Sequence, residues 1–166
     1  MKLLVCAMEA SSNIHLKELK KYLNNDVELV GVFDKELGNP LYDLTALAIM
    51  GIVDALKKLR FFFKLRDELV DLAKDSDKVL LMDSSGFNLP LAKKLRETYP
   101  NKEIIYYILP QAWAWKKGRV AKLEKYCTKL CSIIPFESEM YSDKNKITYV
   151  GHPLLDEIED FKEELS

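Results

Sequence analysis

One acid follows the apolar run Val79-Leu80-Leu81-Met82, and Asp83 is that acid. Ser84, Ser85 and Gly86 come next, and an apolar-periodic segment runs from Leu89 to Leu95. The pattern reads as a buried strand, a tight turn and a helix. It leaves Asp83 at the carboxyl end of a strand, where parallel α/β sheets hold their ligands. A carboxylate there either accepts a proton from a bound hydroxyl or serves only to cap the next helix and fix the turn.

Other strand ends carry candidate chemistry. The first junction reads Ala7-Met8-Glu9-Ala10-Ser11-Ser12-Asn13. It lacks the G-x-G-x-x-G of dinucleotide sites. Its small and hydroxyl residues either present backbone N–H groups to an anion or cap a helix through Ser11, Ser12 or Asn13. Pro110-Gln111-Ala112-Trp113-Ala114-Trp115-Lys116 follows a strong strand and holds both tryptophans of the chain. Either one ring packs inward while the other meets a ligand, or both pack at a boundary. Lys116, Lys117 and Arg119 then open a helix, where cations oppose the dipole unless an anion sits nearby. Gly151-His152-Pro153 closes the last strand, with His152 either at a ligand or simply in a turn.

The elements that position these residues alternate. Strands are expected at Lys2–Ala7, Val27–Phe33, Val79–Met82, Ile104–Leu109, Leu130–Ile134 and Ile147–Val150. Helices are expected at Asn13–Leu23, Ala46–Leu56, Lys58–Ala73, Leu89–Thr98, Lys117–Tyr126 and Leu154–Glu164, and Pro135-Phe136-Glu137 opens a short one. Strands separated by helix-length segments make βαβ units. The expected fold is therefore α/β, a doubly wound, mostly parallel, Rossmann-like sheet with helices on both faces. That fold serves many functions.

One helix is unusual. Leu56 to Arg66 carries Lys57, Lys58, Arg60, Lys64 and Arg66 with no acid, around Phe61, Phe62 and Phe63. Three successive rings on a helix span about 200° of arc. One buried stripe does not hide them all. Basic residues beside exposed aromatics suit an anionic membrane surface. The alternative is a helix packed on two neighbours with a solvated basic edge.

The totals limit the possibilities. At 166 residues, with 48% hydrophobic and 31% charged residues, the chain suits one globular domain with a real core. A net charge of −1 gives no global pull toward nucleic acid, and none is expected as a partner. Cys6, Cys127 and Cys131 form no disulfide framework, and with only two histidines a zinc site is not expected. No apolar run approaches the ~20 residues a spanning helix needs. The chain reads as cytoplasmic, with a surface that can still meet a membrane.

Together the junctions resemble the N-terminal half of the lipid-A-disaccharide synthase family, glycosyltransferases of the two-domain GT-B type. The matching pieces are Glu9 with Ser11, Met50-Gly51-Ile52-Val53, Asp83 with Phe87-Asn88, Trp113-Ala114-Trp115-Lys116, Pro135-Phe136-Glu137 and Gly151-His152-Pro153. They occur in family order over nearly the whole chain. The resemblance implies that UDP-2,3-diacylglucosamine donates its sugar to the 6-hydroxyl of 2,3-diacylglucosamine 1-phosphate, with inversion, giving a β-1,6 disaccharide and UDP. It makes Asp83 the general base. Glu9, Ser11, Asn88, Gln111, Trp113 and His152 would meet substrate, with Lys116 and Arg119 near phosphate. No metal and no cofactor is implied. Lys57, Lys58, Arg60, Phe61, Phe62, Phe63 and Lys64 would touch the inner membrane, where acylated substrates lie.

The chain departs from the family pattern in two loops. Met8 and Ser12 stand where the family has glycines, Ala10 replaces a Thr and Asn13 an Asp. Gly86 replaces the acid usual between Asp83 and Phe87. GT-B enzymes close two Rossmann-like domains over the donor. Residues 1–153 would be the acceptor-side domain, and 154–166 an acidic helix leading toward a second domain supplied in cis or in trans. The competing expectation is a non-catalytic Rossmann-like module that binds a lipid phosphate or nucleotide at the membrane surface. A flavodoxin-like or response-regulator domain would need a phosphate loop or acidic cluster by the first strand, and Glu9 alone is too little.

Overall fold

The computed structural model describes residues 1–43, 55–110, 118–153 and 155. In chain order the elements are β1 (Lys2–Ala7), α1 (Ala10–Lys21), β2 (Glu28–Val32), a 3₁₀ turn (Lys35–Leu37), α2 (Ala55–Lys74), β3 (Lys78–Met82), α3 (Ser85–Thr98), β4 (Glu103–Tyr107), α4 (Gly118–Tyr126), β5 (Lys129–Ser132), a 3₁₀ helix (Pro135–Met140) and β6 (Ile147–Tyr149). The described strands form one parallel sheet in the order β2-β1-β3-β4-β5-β6. Winding therefore reverses between β1 and β3, and that reversal is where open α/β sheets leave a crevice. Flavodoxin-like domains share this reversal, so the two readings part at the strand-end loops rather than in the sheet.

Strand alternation sorts the core onto two faces. Leu4 and Cys6 of β1 and Val79 and Leu81 of β3 pack beneath α2, α3 and α4. Leu3, Val5, Leu80 and Met82 point the other way, toward Leu16 of α1. On α2 the buried residues are Leu65, Leu69, Val70 and Ala73, spaced for one helical face. A 20-residue helix is about 30 Å long, whereas a five-residue strand spans about 17 Å. The surplus lies at the start of α2, so its first turns overhang the carboxyl edge of the sheet.

The doubly wound α/β expectation holds, and the differences are at element ends. Helix α1 begins at Ala10, immediately after Glu9, so Ser11 and Ser12 lie within its first turn instead of capping it. Helix α3 begins at Ser85 and not at Leu89, because the backbone N–H groups of Phe87 and Asn88 already close on the Ser84 carbonyl at 3.0 and 2.9 Å. Strand β4 stops at Tyr107, short of Leu109: Ile108 still donates its N–H to the Cys131 carbonyl at 3.3 Å but takes a left-handed φ of 60°, which turns the chain out of the strand. Helices expected at Ala46–Leu56 and Leu154–Glu164 lie mostly outside the described residues, as does the 154–166 segment beyond Leu155. Among the described residues no helix is long and apolar enough to cross a membrane.

Gly31 shows how closely β1 and β2 approach. It pairs with Val5 and has φ +121°, and a Cβ added there would collide with the Val5 carbonyl oxygen. Left-handed strain and a backbone clash act together. Gly31→Ala is expected to cost on the order of 3 kcal/mol, read as the loss of folding free energy in urea melts. An unchanged midpoint would contradict this packing.

Candidate active site

Asp83 and Ser84 make the turn from β3 into α3 with φ values of 48° and 37°, both left-handed. Non-glycine residues hold that conformation only when neighbours enforce it. Two side chains do so here. The amide of Asn88 donates to the carbonyls of Met82 at 2.9 Å and Asp83 at 3.1 Å, and the hydroxyl of Tyr106 donates to the Asp83 carbonyl. Both residues are fully buried. The first strand end is held by the same device. The amide of Asn13 donates to Ala7 at 2.9 Å and to Glu9 at 2.8 Å, and its Oδ1 accepts from the Asp34 N–H at 2.7 Å. Each asparagine lies six residues after the strand-end carbonyl it holds.

These two clamped ends belong to β1 and β3, the neighbours at the reversal. The Ser84 hydroxyl bridges them by donating to Glu9 Oε1 at 2.7 Å. Ser84 is the N-cap residue of α3 yet makes no side-chain cap bond. The Asp83 carboxyl is half-buried. Burial, then the nearby Glu9 carboxylate, raise its pKa above the usual carboxylate value, while the Ser84 N–H and His15 pull the other way. A carboxylate so placed at a crevice can accept a proton from a hydroxyl held beside it.

A cavity of about 640 Å³ opens beside it. One side is Met8, Glu9, Asp83, Ser84 and Gly86; the facing wall is Leu59, Phe62, Phe63 and Arg66 of the α2 overhang, with Phe87 and Pro90. The three phenylalanines diverge. Phe61 packs edge-on to Tyr42 at 5.2 Å and to Phe62 at 5.7 Å, and Phe62 packs on Phe87 at 5.7 Å. Phe63 is 49% exposed. Arg60 is exposed, Lys64 pairs with Glu68 at 3.4 Å, and the side chains of Lys57 and Lys58 lie outside the described residues.

Of the residues singled out in the sequence, Glu9 and Asp83 meet at this cavity, and Phe62 and Phe63 wall it. Ser11 is exposed on the first turn of α1 and is not on the cavity wall. Asn88 lies beneath the turn, with its amide committed to backbone. Arg119 lines an adjoining cleft of about 340 Å³ that shares Ser85, Gly86 and Pro90. His152 lies across the sheet, 6.1 Å from the ring of His15, in a cavity of about 630 Å³ on the α1 face. Gln111, Trp113 and Lys116 lie outside the described residues, as do Trp115 and Met50-Gly51-Ile52-Val53. Glu137 of the Pro-Phe-Glu segment is buried and accepts from the Ser132 hydroxyl. Arg66, Ser84, Tyr106 and His15 were not among the candidates. Arg66 alone had a local signal, as a cation one helical turn from Phe63. The burial of Cys6 and Cys127 raises both thiols, Cys127 to about 12, so they stay protonated. Among the described residues no three His, Cys, Asp or Glu side chains gather as a metal site.

A family model described as lipid-A-disaccharide synthetase matches residues 3–166. The chain is 53% identical over 163 residues to a lipid-A-disaccharide synthase of Helicobacter pylori (strain HPAG1), covering 98% of this chain and 44% of that protein. It is 50% identical to the one of Helicobacter acinonychis (strain Sheeba), again over 98% of this chain and 44% of that protein. Identity to the Campylobacter jejuni (strain RM1221) protein is 43%, over 96% of this chain and 46% of that one. The chain thus spans less than half the length of the curated relatives it matches.

The raised Asp83 pKa has a stability consequence. A folded-state pKa above the ordinary 3.8 means that the stability this carboxyl contributes is fullest below 3.8 and declines as pH rises through the folded value. Above that window the ionised carboxylate is a constant cost. Asp83→Asn, which keeps an acceptor for the Ser84 N–H, is expected to raise Tm at pH 7. Its advantage should shrink to nothing as pH falls below 3.8. A variant less stable than the wild type at pH 7 would show that the carboxylate is not penalised.

Proposed function

The chain belongs to the lipid-A-disaccharide synthetase family, and from that premise we propose that it forms the acceptor-side half of a hexosyltransferase of lipid A biosynthesis. The observation that carries the proposal is the strained turn that presents the half-buried Asp83 to an apolar-walled cavity at the sheet reversal. The acceptor is 2,3-diacylglucosamine 1-phosphate, with its 6-hydroxyl at Asp83. As that oxygen bonds to the anomeric carbon of UDP-2,3-diacylglucosamine, the bond to the diphosphate breaks, UDP departs and the configuration inverts. Asp83 takes the hydroxyl proton. Its raised pKa makes it a stronger base than an ordinary carboxylate. Protein donors answer the charge on the departing diphosphate, and no metal or cofactor is invoked.

In this division Glu9 orients the turn through Ser84, and Asn88 and Tyr106 hold it. Ser11, Gln111, Trp113, Lys116, Arg119 and His152 remain proposed substrate contacts from the family pattern. Residues 1–153 form the acceptor-side domain, and the acidic stretch 154–166 leads toward a second GT-B domain, in the same chain or another, that holds the UDP-sugar. The half-exposed Phe63, with Arg60, Lys64, Lys57 and Lys58 on the same helix, sets the cavity mouth on the cytoplasmic face of the inner membrane. A non-catalytic lipid-phosphate module would use the same cavity but would not need the carboxylate.

Two experiments test this. In an enzyme completed with the remaining length its relatives carry, Asp83→Ala is expected to lower disaccharide formation by about 10²–10⁴-fold with the fold retained by circular dichroism. Turnover near the wild-type rate would remove the base and favour the non-catalytic module. Phe63→Asp is expected to abolish most co-sedimentation of the chain with anionic phospholipid vesicles. Unchanged sedimentation would take the membrane contact away from this face.

A further inference from the structure

Arg66 lies on the overhanging part of α2 and shares the cavity with Asp83. Its guanidinium stands apart from the other described cations of this helix in three ways. Its Nε is buried and has no hydrogen-bond partner among the described residues. Buried N–H donors are rarely left unanswered, because the desolvation cost is then uncompensated. Its neighbouring carboxylate is engaged elsewhere: Asp67 Oδ1 lies 3.5 Å from Arg66 Nη2 but 2.5 Å from Lys94 Nζ. And Phe63, one turn earlier, lies against it, with the Arg66 Cζ 5.0 Å from the ring centroid. The result is a flat, oriented fork of donors whose charge is only weakly countered.

Such a fork suits two oxygens of one anion. The cavity around it is amphipathic, with Leu59, Phe62, Phe87 and Pro90 apolar and the acids Glu9 and Asp83 on the other side. Those two carboxylates repel an anion from their end, so an anionic ligand has one favoured orientation. We propose that Arg66 binds the phosphate of an amphiphile whose hydroxyl is presented to Asp83 across the same cavity, and that it thereby selects phosphorylated over unphosphorylated acceptors. This rests on the reading of the cavity as the acceptor site. Arg66 is a specificity residue here, and it takes no part in the proton transfer.

The test is calorimetric titration of the 166-residue chain with short-chain diacylglucosamine 1-phosphate, the same compound without phosphate, unacylated glucosamine 1-phosphate, and inorganic phosphate. The acylated phosphate is expected to bind most tightly. Arg66→Gln should lower that affinity about ten- to a hundredfold and leave the unphosphorylated compound unaffected. Arg66→Lys should recover part of the loss, with thermal melts confirming an intact fold in both variants. A preference for phosphate that survives Arg66→Gln overturns the proposal. So does inorganic phosphate binding as tightly as the acylated ligand, which would mark a plain anion site. If the wild-type chain binds both acylated compounds equally, the acceptor reading stands and the role of Arg66 falls. If it binds neither, the acceptor reading falls with it.

Discussion

The clamp on the Asp83 carbonyl is the constraint on which the rest of the site depends. Two consecutive non-glycine residues in the left-handed region are unfavourable by themselves. A buried amide nitrogen from α3 and a buried hydroxyl from β4 both donate to this turn and hold it in that conformation. The same bonds anchor the start of α3 to the end of β3. The direction of the carboxyl is thus an outcome of core packing, and not of loop preference. The third described non-glycine residue with positive φ, Ile108, ends the adjacent strand β4. Strain is therefore collected along one rim.

The two edges of the sheet treat charge differently. At the amino edge, Glu103 lies between Lys78 at 2.9 Å and Lys129 at 3.1 Å, and those partners hold its pKa down. At the carboxyl edge, burial and then the like charge of Glu9 push the Asp83 carboxyl up. One edge is stabilised by its charges and the other is held against them. The overhang of α2 then lowers the dielectric beside the second edge by placing aromatic rings across from it, which strengthens whatever electrostatic work the carboxylate does.

Much of the fold was legible from periodicity alone. The described strands overlap the expected ones, because buried parallel strands are short apolar runs that need little context. The errors fall where a side chain far along the chain decides the local backbone. Nothing local in Ser85-Gly86-Phe87-Asn88 shows that Asn88 will turn inward and extend the helix by a turn. Ile104–Leu109 is uniformly strand-like, yet Ile108 turns left-handed and the strand ends before it. In the site, Asp83 and Glu9 were visible as acids at strand ends. Arg66 was visible only as one cation in a basic run, because its distinction is an unanswered Nε, which is a property of burial. Phe61 to Phe63 were legible as diverging rings, but not as one wall of a crevice. Tyr106 looked like one more core residue of β4, and its hydroxyl has a use only once β3 lies beside it.

The matched clamps at Ala7 and Met82 have a consequence for how this site can vary. Those two residues are partners in the β1–β3 ladder, and each is followed by an acid one or two positions later, at Asp83 and Glu9. The spacing of the acids is therefore inherited from a row of backbone hydrogen bonds. Inserting or deleting a single residue between either strand end and its acid would break this pairing of the two acids. The lengths of these two connections are thus tied to the ladder that carries them.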